Sequence, residues 1–139
     1  IADKRKDIVY SLDEMESLGN WPLLAELSMD PKHSWGESLD LMVSGPLSVN
    51  NGNIALIAVG EIDDLLLSKL NKSLGEVLQN REFKITKDLR EASKCSNLIV
   101  ISAMGVTKKQ ELIELRKKLY GQNSLVVGLM ALNNIDLKT

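Results

Sequence analysis

The five residues Gly60-Glu61-Ile62-Asp63-Asp64 stand where an α/β chain would bind phosphate, at the turn between an apolar run and a long amphipathic segment. A phosphate loop of the Walker type needs Gly-x-x-x-x-Gly-Lys followed by Ser or Thr, so that lysine neutralises the phosphates and the hydroxyl reaches magnesium. Neither that loop nor a dinucleotide Gly-x-Gly-x-x-Gly occurs at this turn. Glu61, Asp63 and Asp64 instead place three carboxylates in the expected first helical turn, where they complement the helix dipole and repel a polyphosphate. The same acids could act as magnesium ligands, since hard cations take carboxylate oxygens. Helix-start acids are common without a metal, however, and no metal site or cofactor is assigned. Gly60, Glu61, Asp63 and Asp64 are therefore read as a degenerate phosphate-loop position.

Other chemistry-bearing residues are sparse. His33 is the sole histidine, which removes every two-histidine metal motif and leaves a Ser-His-Asp set dependent on a proline-bounded loop. The sole cysteine, Cys95, excludes an internal disulfide and a cysteine-built zinc site, and its place before a buried strand favours a structural thiol over a reactive one. Asp88 and the stretch Ser102, Met104, Gly105 and Thr107 fall at carboxyl ends of expected strands, where open parallel sheets bind ligands, and form the expected residual pocket.

The elements that would position these groups follow from periodicity. Continuous apolar runs over 54–59, 97–101 and 125–129, with a shorter one over 83–86, predict buried parallel strands. Ile62, Leu65, Leu66, Leu70, Leu74, Val77 and Leu78 recur at helical spacing and predict one long helix with a buried stripe. Asp88 is expected to cap a short helix reaching about Lys94, and Thr107-Lys108-Lys109-Gln110 to open another as a capping box, ended by Gly121. On its polar side lie Lys108, Lys109, Arg116, Lys117 and Lys118, partly balanced by Glu111 and Glu114 and read as a solvated, salt-bridged face. The alternation predicts an α/β fold: a three-layer Rossmann-like or degenerate P-loop-type domain with a mainly parallel sheet of about four to five strands.

Residues 1–53 differ in character, holding all 3 prolines and both tryptophans, and predict a linker and wrapped arm before a core over 54–139. Ser11-Leu12-Asp13-Glu14 and Ser34-Trp35-Gly36-Glu37 both fit capping boxes, the second helix stopping before Gly45-Pro46 with glycine as a left-handed cap. The chain opens on Ile1 rather than methionine and is expected to be part of a longer protein, with Lys4-Arg5-Lys6 either a solvated basic terminus or a juxtamembrane cluster.

Composition limits the function. A chain of 139 residues with 44% apolar content suits one folded unit with a single core. A net charge of -2 and five scattered aromatics provide neither the basic field nor the stacking platform that nucleic acids need. No run approaches the roughly 18 apolar residues of a membrane helix.

Three stretches carry a family resemblance. Residues Asp3-Lys4-Arg5-Lys6-Asp7-Ile8-Val9-Tyr10-Ser11-Leu12-Asp13-Glu14-Met15-Glu16 are followed by Trp21-Pro22-Leu23-Leu24-Ala25-Glu26-Leu27. The third is made up of Asn97 to Ile101, then Gly105-Val106-Thr107-Lys108-Lys109-Gln110-Glu111-Leu112, then Val126-Val127-Gly128-Leu129. In this order they resemble the cytoplasmic C-terminal part of the bacterial polysaccharide chain-length determinants, the Wzz-like co-polymerases often fused to tyrosine autokinases. The resemblance implies that Trp21 to Leu27 form a strand after a membrane exit segment, and that the last strand-helix-strand unit is kinase-like. The kinase members carry a Walker lysine loop, magnesium aspartates and a tyrosine-rich tail, none of which this chain matches, so no catalytic residue is carried over. What remains is the expectation of a non-catalytic regulatory or docking domain at the cytoplasmic side of the inner membrane, with protein partners in a polysaccharide export assembly. Self-association would belong to the full-length protein, and membrane contact to segments outside this chain. The alternatives are an ATP-binding protein or kinase with an unorthodox site and a small-ligand sensor.

Overall fold

The computed structural model describes residues 7–30, 32–49, 52–79, 81–120 and 125–133. The Lys4-Arg5-Lys6 cluster, the expected stop at Gly121 and the closing residues 134–139 lie outside them. Among the described residues eleven elements follow one another: α1 (Leu12–Gly19), β1 (Leu23–Ser28), α2 (Gly36–Ser44), a 3-10 turn (Pro46–Val49), β2 (Ile54–Ala58), α3 (Asp64–Val77), β3 (Phe83–Thr86), α4 (Leu89–Ala92), β4 (Asn97–Ala103), α5 (Lys109–Leu119) and β5 (Leu125–Asn133).

The strands form one sheet in the order β1-β5-β4-β2-β3, and every pairing is parallel. Because strand side chains alternate between faces, the central strands supply two separate cores. On one face Leu56, Ile99, Ile101, Met130 and Leu132 pack with Leu39 and Met42 of α2 and with Leu70 and Leu74 of α3. On the other, Ile57, Val59, Leu98, Val100 and Leu129 pack with Met15 of α1, Ala92 of α4, and Leu112 and Leu115 of α5. The β4 strand, between β5 and β2, is buried along its whole length, which is why its sequence is apolar without alternation. The result is a three-layer Rossmann-like α/β domain.

Described residues before 54 contribute to this sheet and its cores. The β1 strand pairs with β5 from Leu23↔Leu129 to Ser28↔Asn133, and its Ala25 and Leu27 join the first core together with Trp35 and Leu47. At Gly128 a Cβ would stand 2.5 Å from the Pro22 carbonyl oxygen, so the close approach of the chain before β1 to β5 requires glycine. The Trp35 indole N–H donates to the Ser28 carbonyl at 2.7 Å, and the Lys69 ammonium lies 4.3 Å above the ring centre. Arg81 donates to the Leu47 and Gly52 carbonyls at 2.9 and 3.0 Å, fastening the approach to β2.

Several local expectations are corrected. Ser11 caps α1 by accepting the Glu14 N–H at 3.2 Å, but Glu14 reaches back to the N–H of Tyr10, one residue before the cap. Ser34 does not cap α2: the cap position is Trp35, with no side-chain bond, and Ser34 only accepts the Gly36 N–H. Gly45 ends α2 at φ -100°, not in the left-handed region. Leu65 is 78% exposed, because α3 starts at Asp64 and its first turn rotates Leu65 outward while Leu66 and Leu70 face the sheet. Both β4 and β5 run past their apolar stretches, so Ser102 lies inside β4 rather than beyond the end expected at Ile101.

Candidate functional site

The chain leaving β2 passes through α3 to the β3 edge, and the chain leaving β4 passes through α5 toward β5 on the opposite side. Their carboxyl ends therefore border the crevice at which an open parallel sheet ordinarily takes its ligand. Here the crevice is closed from within. The fully buried Thr107 hydroxyl donates to the Val59 carbonyl at 2.7 Å and accepts the Ala103 N–H at 2.9 Å, joining the two strand ends. Gly60 follows at φ +93°, and a Cβ there would meet the Thr107 Cα at 3.1 Å. Thr107 is thus not the expected helix cap. That position falls to Lys108, whose backbone N–H is met by the Glu111 carboxylate at 2.9 Å.

The acidic turn divides its roles. Asp63 caps α3 by accepting the Leu65 N–H at 2.9 Å, Asp64 lies in the first turn, and Glu61 precedes the helix, exposed. The expectation of three carboxylates inside the first turn is corrected to one in the turn and one at its cap. Among the described residues no group of three or more His, Cys, Asp or Glu side chains is placed to hold a metal.

The residues expected to form a residual pocket separate into two places. Ser102, Met104, Gly105 and Thr107 lie under the N-terminal segment: Gly105 N–H donates to the Val9 carbonyl at 2.8 Å, and Val9 N–H donates to the Thr107 carbonyl at 3.0 Å. The Ser102 side chain is wholly buried and its hydroxyl has no hydrogen-bond partner. Lys109 of α5 holds this segment by an ion pair with Glu14 of α1 at 2.9 Å, and this partner, with the Tyr10 N–H, keeps the Glu14 carboxyl below its ordinary range. Of the two balancing acids expected along α5, Glu111 is engaged at the helix start, and Lys109 finds its partner on α1 instead.

Asp88 lies elsewhere, on the rim of a groove of about 600 Å³ between α4 and α5, with Ile57 to Gly60 as its floor. It caps α4 by accepting the Arg90 N–H at 2.9 Å. This groove exists because α4 is a single turn of four residues and cannot cover β2 as α3 does on the other face. Lys87 and Arg90 on one wall, and Glu111, Glu114 and Lys118 on the other, were not singled out as a pocket by sequence. The signal that could have found them is the brevity of the expected helix after Asp88.

His33 is exposed at the start of the α2 approach, and its backbone carbonyl, not its ring, accepts from Lys69. Cys95 is buried, as its position before β4 predicts. No helix among the described residues is long and apolar enough to cross a membrane. No known protein family matches the chain, and neither a curated protein nor a solved structure matches it. The class to which fold and site assign the chain is the Rossmann-like three-layer α/β domain with an internally bonded switch crevice.

Proposed function

We propose that this chain is a non-catalytic regulatory or docking domain, the cytoplasmic part of an inner-membrane co-polymerase that sets chain length in surface polysaccharide export. The reading descends from a degenerate P-loop-type domain whose phosphate position was lost. The observation that carries it is the Thr107 hydroxyl bridging Val59 and Ala103 beneath Gly60, because it fills the gap between the β2 and β4 ends where a phosphate would seat, and the groove left open beside Gly60 is lined by the Glu111 and Glu114 carboxylates. Asp63 and Asp64 at the start of α3 add like charge against a triphosphate. A fold can keep a surface role after its site is gone. The strand, helix and strand that resemble the family's last unit are β4, α5 and β5, and β1 takes in Leu23 to Leu27 of the stretch likened to the strand after the membrane exit segment.

Calorimetric titration with ATP and ADP, with and without magnesium, tests the nucleotide side. The expected result is no heat of binding, and micromolar affinity would overturn the reading. Removing the domain from the full-length protein tests the rest: an altered polysaccharide length distribution is expected, and an unchanged one would refute the assignment to this pathway.

A further inference from the structure

The groove between α4 and α5 has charges of opposite sign on facing walls that do not meet. Lys87 and Arg90 stand on the α4 side, Glu111 and Glu114 on the α5 side, and among the described residues no ion pair joins the two walls. The other acid of α4, Glu91, is directed to Lys94 and Lys84 at 3.2 and 3.3 Å. Asp88 on the α4 side is held at the helix cap by the Arg90 N–H, and Lys118 stands one turn beyond Glu114 on α5, so each wall keeps a single net charge, positive beside α4 and negative along α5. At the upper end, beside Gly60, the field therefore runs from a cationic wall to an anionic one. The single-turn α4 leaves the two walls apart around a space of small-ligand size, about 600 Å³.

We propose that this groove binds a small zwitterion of the amino-acid type, its carboxylate set against Arg90 and its ammonium against Glu114, while Lys87, which also donates to the Ile62 carbonyl at 3.4 Å, and Glu111, which also accepts the Lys108 N–H, add charge of the same sign to their own walls. A simple anion would gain one wall and be repelled by the other, and a simple cation the reverse, so only a ligand carrying both charges draws on the whole field. The Ile57 to Val59 floor and Leu115 leave room for a modest apolar side chain. This goes beyond the docking reading, giving the domain a ligand through which docking would be regulated.

The test is NMR titration of the isotopically labelled chain with the free amino acids and the dipeptide Ala-Ala at millimolar concentrations. The expected result is saturable shifts for at least one of them at residues 57–60, 87–93 and 111–118. For that ligand, the N-acetyl and the amide forms, each with one charge removed, are expected to bind at least about tenfold more weakly. Arg90→Gln and Glu114→Gln should each weaken binding by a similar factor without lowering the melting temperature, since both side chains are exposed. No saturable shift with any probe would overturn the proposal, as would equal affinity for the N-acetyl form, which would mark a plain anion site. Neither outcome touches the docking reading, which falls only on nucleotide binding or on an unchanged polysaccharide length.

Discussion

The two faces of the sheet are covered to different degrees. On one, α2 and α3 supply 9 and 14 residues of helix and leave only a smaller groove, about 440 Å³, between α3 and the β3 edge. On the other, α1 and α5 cover β5 and β4, while the single turn of α4 leaves the groove beside Gly60. A fuller helical layer stabilises the sheet; a sparser one provides a place for a ligand. The seam between the faces is the β2–β4 crevice, which Thr107 closes.

The largest effect is expected where cover is fuller. Leu74→Ala on the α3 face removes a fully buried side chain and should destabilise the fold by about 3 kcal/mol. Leu89→Ala, half-buried on the groove wall, should cost about 1 kcal/mol or less. Denaturant titration of both variants decides this, and equal losses would erase the distinction between the faces. At the seam, Thr107→Val keeps the shape but strands the Val59 carbonyl and the Ala103 N–H, with an expected cost of about 2 kcal/mol. A neutral result would mean that the crevice is closed without the hydroxyl.

A smaller effect is expected from the ion pair that ties α1 to α5. Because Lys109 and the Tyr10 N–H lower the Glu14 pKa on folding, that contribution is full above the ordinary carboxylate range near 4.5 and is lost as pH falls through the lower folded value. Stability of the parent should therefore decline with acid more steeply than that of Glu14→Gln. At neutral pH the variant should lose only about 0.5 kcal/mol, because solvent screens this part-exposed pair. Thermal melts of both proteins across pH 3 to 7, roughly the span of carboxylate titration, would show parallel curves if the pair contributed nothing. Least affected should be Leu65→Gln, since a side chain 78% exposed has little burial to lose; a change within about 0.5 kcal/mol in the same melts is expected.

Much of the fold was legible in sequence, for reasons visible in particular residues. The 54–59 and 97–101 runs read as buried parallel strands because every residue of β2 and β4 is buried, and such strands cannot alternate. The α3 stripe through Leu70 and Leu74 was legible for the same reason, burial on one side of a 3.6-residue period. Residues 23–28 carry too weak a pattern, with Glu26 exposed amid apolar neighbours, for periodicity alone to place them in the sheet; the family resemblance suggested a strand there. Of the candidate site, Asp88 and Gly60 do line one groove, but Ser102, Met104, Gly105 and Thr107 do not.

The sequence by itself determined the elements from β2 onward, the absence of a phosphate-loop motif and the parallel class of the sheet, since these depend on periodicity and on residues near in the chain. Only the tertiary structure decided that Thr107 bridges β2 and β4, that β1 joins β5, and that the acids of α5 face the cations beside α4. Each of these unites residues tens of positions apart. What brings them together is the burial of two apolar faces of one sheet, a property of the whole chain rather than of any local segment.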